Sequence, residues 1–136
     1  MDQKLFAIVG LYAGLSALIL LWLSTATVQL RAKYKISIGD GDNTHLKRIM
    51  RGHVNALENM LIVLILMLAM AGMGAPASVL HGFGVVLVVS RLVHAHHFIQ
   101  EDAAGGTRRY SMVANYALIL IGSLGIIGHS LLSMFS

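Results

Sequence analysis

Three polar residues at the start of a long apolar segment are the first candidates for chemistry. Arg51, Asn55 and Glu58 precede a hydrophobic run, and at about 100° per residue they fall within roughly 60° of one another on a helix. This polar stripe offers a cation, an amide and a carboxylate, so it can bind a ligand that carries both a carboxylate and an ammonium group. The alternative interpretation is an interhelical salt bridge that holds helices together, because buried polar groups need partners.

A second polar group lies late in another apolar segment. Arg91 and His94 are three residues apart and share a helix face with Phe98. A single arginine near the end of a membrane helix usually extends its guanidinium to the lipid headgroups, and from the residues alone we expect this of Arg91. His96 and His97 point to other faces, so the cluster lacks the spacing of a helical metal site and no metal is predicted.

Two adjacent arginines, Arg108 and Arg109, open the last apolar segment. They either mark the cytoplasmic end of a membrane span or place a cation at the membrane interface, where it can face an anion. The chain contains no cysteine. Any thiol chemistry must therefore use a thiol that a substrate brings.

The composition shows what kind of element must position these residues. Of the 136 residues, 57% are hydrophobic and only 12% are charged, whereas soluble domains are about 45–50% apolar and about 25% charged. A soluble domain of this size, a disordered chain and a nucleic-acid-binding domain are excluded. The apolar runs are long enough for transmembrane helices. The sequence therefore predicts an all-α integral membrane protein, a four-helix up-down bundle forming one domain over residues 1–136, with helices at about 5–30, 50–74, 77–99 and 109–134.

The basic residues indicate the orientation of this bundle. Lys and Arg concentrate in residues 32–50 and 100–109, which connect the first span to the second and the third to the fourth. Cytoplasmic loops of membrane proteins carry an excess of Lys and Arg. Both connections are therefore predicted to face the cytoplasm, with the two termini on the opposite side.

The segment that contains Arg51, Asn55 and Glu58 resembles the signature of a known family, the membrane-associated proteins in eicosanoid and glutathione metabolism (the MAPEG family). The four spans, the basic loop after the first, the short turn after the second, the segment 91–94 and an arginine that opens the fourth span are also similar to this family. The resemblance covers essentially the full chain. It implies a homotrimer that binds glutathione between neighbouring subunits near the cytoplasmic face.

The resemblance implies roles for individual residues in holding glutathione. Arg51 resembles the family arginine that holds a glutathione carboxylate, and Asn55 resembles the matching amide. Glu58 resembles the acid that meets the glutathione amino group. Arg31, at the end of the first span, is similar to a family arginine that also reaches glutathione.

The resemblance extends to the third and fourth spans. Arg91 and His94 are further expected glutathione contacts, and His94 lies where several members carry His or Tyr near the ligand. The family arginine that stabilises the thiolate opens the fourth helix, where Arg108 and Arg109 are both candidates for the catalytic residue. The small residue that many members carry three places later corresponds to Ser111, which favours Arg108.

The chain departs from the family at one position. Some members carry a Tyr four residues after the position of His94, and here that residue is Phe98. The compact length and the motif of the second span look more like a bacterial glutathione transferase-type member than like the leukotriene or prostaglandin synthases.

The function that the resemblance implies is a membrane-bound glutathione transferase, with glutathione as co-substrate and glutathione peroxidase as a related activity. The second substrate is expected to be a hydrophobic electrophile or hydroperoxide that arrives through the lipid bilayer, and neither a metal nor a nucleic acid is expected. The expected location is the bacterial inner membrane, with the active site on the cytoplasmic side. The alternatives are a non-enzymatic membrane scaffold and a small transporter that uses the polar stripe.

Overall fold

The computed structural model describes residues 2–103 and 105–135, and within these ranges the chain is helical, with no strand. Each helix is long and apolar enough to cross a membrane. The predicted all-α architecture with four spanning helices is confirmed. The helices are α1 (Gln3–Tyr34), α2 (Thr44–Gly72), α3 (Ala77–Ile99) and α4 (Gly105–Phe135).

The second and third helices form the centre of the bundle. Each of α2 and α3 packs against the other three helices, whereas α1 and α4 lie on opposite sides and are not packed against each other. The core between α1, α2 and α3 is apolar, with fully buried side chains such as Leu23, Ile49 and Leu87. Only one narrow stripe of α4 is buried, and most of its surface is apolar and exposed: the buried residues are Ser111, Asn115, Leu118 and Gly122.

Three helices extend beyond the ends expected from hydrophobicity, and the first of them ends at Tyr34 rather than near residue 30. The second helix begins at Thr44 rather than near residue 50, because the Asn43 side chain accepts a hydrogen bond from the Leu46 backbone N–H (2.9 Å) and caps the helix there. The fourth helix begins at Gly105 rather than near residue 109. Uncharged runs mark the part of a helix that lies in hydrocarbon, so they underestimate helices that continue into the polar interface.

The two connections rich in charge lie at the same end of the bundle. There, the C-terminal ends of α1 and α3 meet the N-terminal ends of α2 and α4. The first helix is capped at its C-terminal end by Lys35, whose φ of 56° is left-handed, and the Ile36 N–H then donates to the Arg31 carbonyl oxygen (3.0 Å). This end of the bundle carries the sequence-predicted site residues.

Candidate functional site

A cavity of about 700 Å³ opens at the charged end of the bundle, between α2, α3 and α4. Four cationic side chains and two carboxylates line it, so its net charge is positive and it offers groups of both signs. Apolar side chains form the rest of its wall. The lining residues are Asp40, Lys47, Arg48, Met50, Arg51, Val54, Asn55, Glu58, His94, His97, Phe98, Arg108 and Met112.

The structure brings the whole polar stripe to this cavity. Arg51 and Glu58 are exposed, Asn55 is half-buried, and all three line the wall. Within residues 2–103 and 105–135 neither Arg51 nor Glu58 has an ion-pair partner, so the interpretation of the stripe as a salt bridge between helices of one subunit is wrong. The Asn55 Oδ1 atom is buried and accepts no hydrogen bond from the described residues. The stripe is therefore available to a ligand.

A different pair of polar residues joins the helices. The Asn115 Nδ2 atom on α4 donates to the Asn59 Oδ1 atom on α2 (2.8 Å), and both side chains are buried. This contact satisfies the Asn115 Nδ2 donor and the Asn59 Oδ1 acceptor inside the bundle, where lipid offers them no partner. Sequence reasoning missed the pair, although an asparagine in the first half of each of two apolar spans was the available signal.

Arg91 lies inside the bundle and outside the cavity wall. Its side chain is completely buried (0% exposed), and Nη2 donates to the Ser111 carbonyl oxygen on α4 (2.7 Å). The expectation that Arg91 extends to the headgroups is wrong, because α4 covers the face of α3 that carries it. The Nε and Nη1 atoms have no hydrogen-bond acceptor among the described residues. The contact of Arg91 with glutathione stays a prediction, and the buried position of Arg91 outside the cavity wall does not favour it.

His94 lies at the junction between α3 and α2. Its Nε2 atom donates to the Gly52 carbonyl oxygen (3.0 Å), because a carbonyl can only accept, and its ring packs against Phe98 with centroids 4.6 Å apart. A Cβ atom on Gly52 would lie 2.4 Å from Phe98 Cγ. Only glycine therefore allows α3 to approach α2 closely enough to place His94 in the cavity wall.

The structure separates the two candidate catalytic arginines. Arg108 lines the cavity, with its guanidinium 5.7 Å from the centre of the Phe98 ring. The Ser111 Oγ atom donates to the Arg108 carbonyl oxygen (2.9 Å) within the first two turns of α4. Arg109 is exposed and does not line the cavity, since successive residues point about 100° apart around a helix.

Arg31 lies next to the cavity without lining it. Its Nη1 atom donates to the Gly39 carbonyl oxygen (2.7 Å) and its Nη2 atom approaches Met50 Sδ (3.4 Å). Met50 is itself part of the cavity wall. Arg31 therefore lies one side chain away from the other predicted glutathione contacts, where it also holds the connection between α1 and α2.

Sequence reasoning did not identify Arg48 as part of the site. This residue lines the cavity, and its guanidinium donates to the His97 carbonyl oxygen (3.4 Å) and to the Glu101 carbonyl oxygen. The signal was the helix start, because a helix that begins at Thr44 places Arg48 on the same face as Arg51. Treating residues 32–50 as a loop hid this relation.

The spanning helices define a class: a small integral, multi-pass membrane protein with a cavity at one end that is lined by side chains of both charges. Comparison with known proteins makes the class specific. The model of the MAPEG family matches residues 9–128, and the chain belongs to this family. The predicted family is thus confirmed.

Relatives of the chain are bacterial. It is 38% identical over 112 residues to the protein named "Inner membrane protein YecN" of Escherichia coli (strain K12), an alignment that covers 82% of this chain and 84% of the relative. The protein of the same name from Escherichia coli O6:H1 (strain CFT073) matches with the same figures. No solved structure gives a significant match.

Proposed function

We propose that the protein is a membrane-bound glutathione transferase. The observation that carries this proposal is the cavity in which Arg51, Asn55, Glu58 and Arg108 meet with their ligand-facing groups unpaired. Glutathione has two carboxylates, one ammonium group and one thiol. A site for it needs cations, an acid and a group that stabilises a thiolate. This cavity offers cations and an acid, and we assign the third role to the Arg108 guanidinium.

The binding roles follow from charge. Arg51 pairs with a glutathione carboxylate, and a guanidinium suits this task because it can donate two parallel hydrogen bonds to a carboxylate. Glu58 accepts from the ammonium group, and the unpartnered Asn55 Oδ1 atom accepts from an amide N–H of the peptide. Arg31 and His94 contribute at the edge and the inner wall of the cavity.

Arg108 is the proposed catalytic residue. A free thiol has a pKa near 8.5, so about a few per cent is ionised at neutral pH. A guanidinium beside the sulfur favours the charged form and lowers the pKa of the bound thiol. The thiol proton leaves to solvent, the thiolate attacks the electrophilic carbon, and a leaving group such as halide departs with the bond electrons. Attack on a hydroperoxide oxygen would instead break the O–O bond and release the alcohol, and a second glutathione would convert the resulting glutathione sulfenic acid to the disulfide and water, which is the related peroxidase reaction.

The apolar part of the wall suits a substrate from the bilayer. Val54 and Met112 line the cavity beside the polar stripe, and the outer faces of α2 and α4 are rich in exposed hydrophobic side chains. A hydrophobic electrophile can therefore reach the sulfur without leaving lipid. The family supports a homotrimer, and the open side of the cavity is where a neighbouring subunit would complete it.

The location is part of the proposal. The name of the Escherichia coli relative supports the bacterial inner membrane. The cavity lies at the end that carries the basic connections, and the excess of Lys and Arg there favours the cytoplasmic side, where reduced glutathione is found.

Calorimetric titration of the purified protein with glutathione tests the proposal. We expect saturable binding that Glu58→Gln weakens, while Glu101→Gln, an exposed acid outside the cavity wall, serves as the matched control and leaves affinity unchanged. With a glutathione analogue that lacks the amino group, wild type and Glu58→Gln should bind equally.

Turnover separates the proposed enzyme from its alternatives. Wild-type protein in detergent or liposomes should consume thiol when a chromogenic aryl halide is added. Absence of glutathione binding would support a scaffold. Binding accompanied by movement of glutathione into liposomes, without thiol consumption, would support a transporter.

A further inference from the structure

The Phe98 ring lies at the centre of a cluster of cations and imidazoles. The guanidinium groups of Arg48 and Arg108 lie 6.0 Å and 5.7 Å from its centroid. The rings of His94 and His97 pack against it, with centroids 4.6 Å and 5.1 Å away. Phe98 is buried (7% exposed) and still forms part of the cavity wall.

The guanidinium of Arg108 depends on this ring. Among residues 2–103 and 105–135 it makes no hydrogen bond and no ion pair, and the Phe98 face is its specific side-chain contact. The bond from Ser111 Oγ holds only the Arg108 backbone. An exposed arginine side chain has many rotamers, so the backbone bond alone does not fix the guanidinium over the cavity. Attraction to the negative face of the Phe98 ring favours the conformation in which the guanidinium lies over that ring.

The ring itself is held rigidly. Phe98 Cγ, Cβ and Cδ1 lie 2.4, 2.8 and 2.8 Å from the position that a Cβ atom on Gly52 would occupy, so the ring fills the space that this glycine leaves. His94, which packs on the ring, is itself fixed by its bond to the Gly52 carbonyl oxygen. The Phe98 ring, over which the Arg108 guanidinium lies, is therefore part of the contact between α2 and α3.

We propose that Phe98 is a positioning residue for thiolate formation. Its ring face holds the Arg108 guanidinium at the place where the glutathione sulfur binds. This inference rests on the proposed function and deepens it. It assigns the positioning of the Arg108 guanidinium to a ring that has no hydroxyl, at the position where some family members carry a Tyr. In this role Phe98 acts through Arg108 and not on the sulfur directly.

The test is a pH titration of the ultraviolet thiolate absorbance of bound glutathione in wild type, Phe98→Leu and Phe98→Tyr. Leucine keeps the apolar volume and removes the ring face, so we expect the pKa of the bound thiol to rise by about 0.4 to 0.7 pH unit. Tyrosine keeps the ring and should restore the wild-type value. Phe83→Leu makes the same substitution in the far half of α3, outside the cavity wall, and should leave the titration unchanged.

Two controls isolate the mechanism. Affinity for S-methylglutathione, which has no ionisable thiol, should be the same in wild type and Phe98→Leu, because positioning affects the charged sulfur alone. In an Arg108→Ala background, Phe98→Leu should cause no further rise in the thiol pKa. If Phe98→Leu loses S-methylglutathione binding through misfolding, Phe98→Met replaces it, with the same expected rise.

The outcomes distinguish this inference from the proposed function. If wild-type protein binds glutathione but shows no thiolate signal at any pH below the pKa of the free thiol, the proposed function fails. If the wild type shows the signal and Phe98→Leu titrates identically, Phe98 does not position Arg108 and the inference alone is refuted. A rise that persists in the Arg108→Ala background would also refute it.

Discussion

Replacing Gly52 with alanine tests whether the contact between α2 and α3 builds the site. The added Cβ atom would lie 2.4 Å from Phe98 Cγ and 2.8 Å from Phe98 Cβ. Rotation of the ring cannot relieve the second contact, because the Cβ atom of Phe98 is attached directly to the α3 backbone. The two helices must therefore separate by several tenths of an ångström at this point, and the ring must move by about 1 Å to reach an ordinary carbon–carbon distance.

The size of the effect follows from two opposing contributions. Overpacking of a close contact costs about 1–3 kcal/mol, while exchanging glycine for alanine inside a helix contributes about 0.5–1 kcal/mol of stability. Gly82→Ala is the matched control, because a Cβ atom on Gly82 in α3 meets nothing within 4 Å. The difference in unfolding free energy between the two variants isolates the overpacking, and we expect Gly52→Ala to be lower by about 1–3 kcal/mol.

Reversible unfolding in mixed detergent micelles, followed by helical circular dichroism, measures this difference. Separation of the helices also moves the Phe98 ring and weakens the hydrogen bond from His94 to the Gly52 carbonyl oxygen. We therefore expect the fraction of bound glutathione that is thiolate to fall as well. If Gly52→Ala were as stable as Gly82→Ala and formed thiolate like the wild type, the packing described for this contact would be refuted.

Two further predictions concern the polar groups inside the bundle. Asn115→Leu removes the donor to Asn59 Oδ1 and should lower the unfolding free energy by about 1 kcal/mol, whereas Asn59→Leu/Asn115→Leu should lower it less, because no buried acceptor is then left alone. A double variant less stable than Asn115→Leu would contradict this. Arg91→Met should leave the glutathione dissociation constant unchanged in calorimetry, because Arg91 is buried behind the cavity, while slowing turnover by releasing the Ser111 carbonyl that it anchors. A large loss of affinity would show that Arg91 reaches the ligand.

Periodicity within one helix made the polar stripe predictable. The angle between residues of a single helix is fixed, so Arg51, Asn55 and Glu58 had to share a face whatever surrounds them. Long apolar runs made the four spans predictable for a similar reason, since hydrocarbon leaves the backbone little choice but a helix. Neither inference needs knowledge of a neighbouring helix.

The surroundings of Arg91 and of the two arginines of α4 could not be predicted in this way. Each depends on how helices are rotated against one another, which is decided by packing at contacts such as Gly52 with Phe98. A solitary arginine near a helix end looks the same in sequence whether lipid or another helix covers it. Arg108 and Arg109 differ only in direction, and the contact of Arg108 with the Phe98 ring becomes visible only once α3 and α4 are packed together.

The ultraviolet difference spectrum of bound glutathione at neutral pH, recorded for wild type, Arg108→Ala and Arg109→Ala, tests the central claim most directly. Arg109 provides the matched control, because it has the same charge on the next residue and its exposed side chain lies outside the cavity wall. We expect a thiolate band in wild type and Arg109→Ala, and loss of the band in Arg108→Ala, which still binds glutathione through the polar stripe. An equal band in Arg108→Ala, or its loss in Arg109→Ala instead, would contradict the assignment of thiolate stabilisation to Arg108.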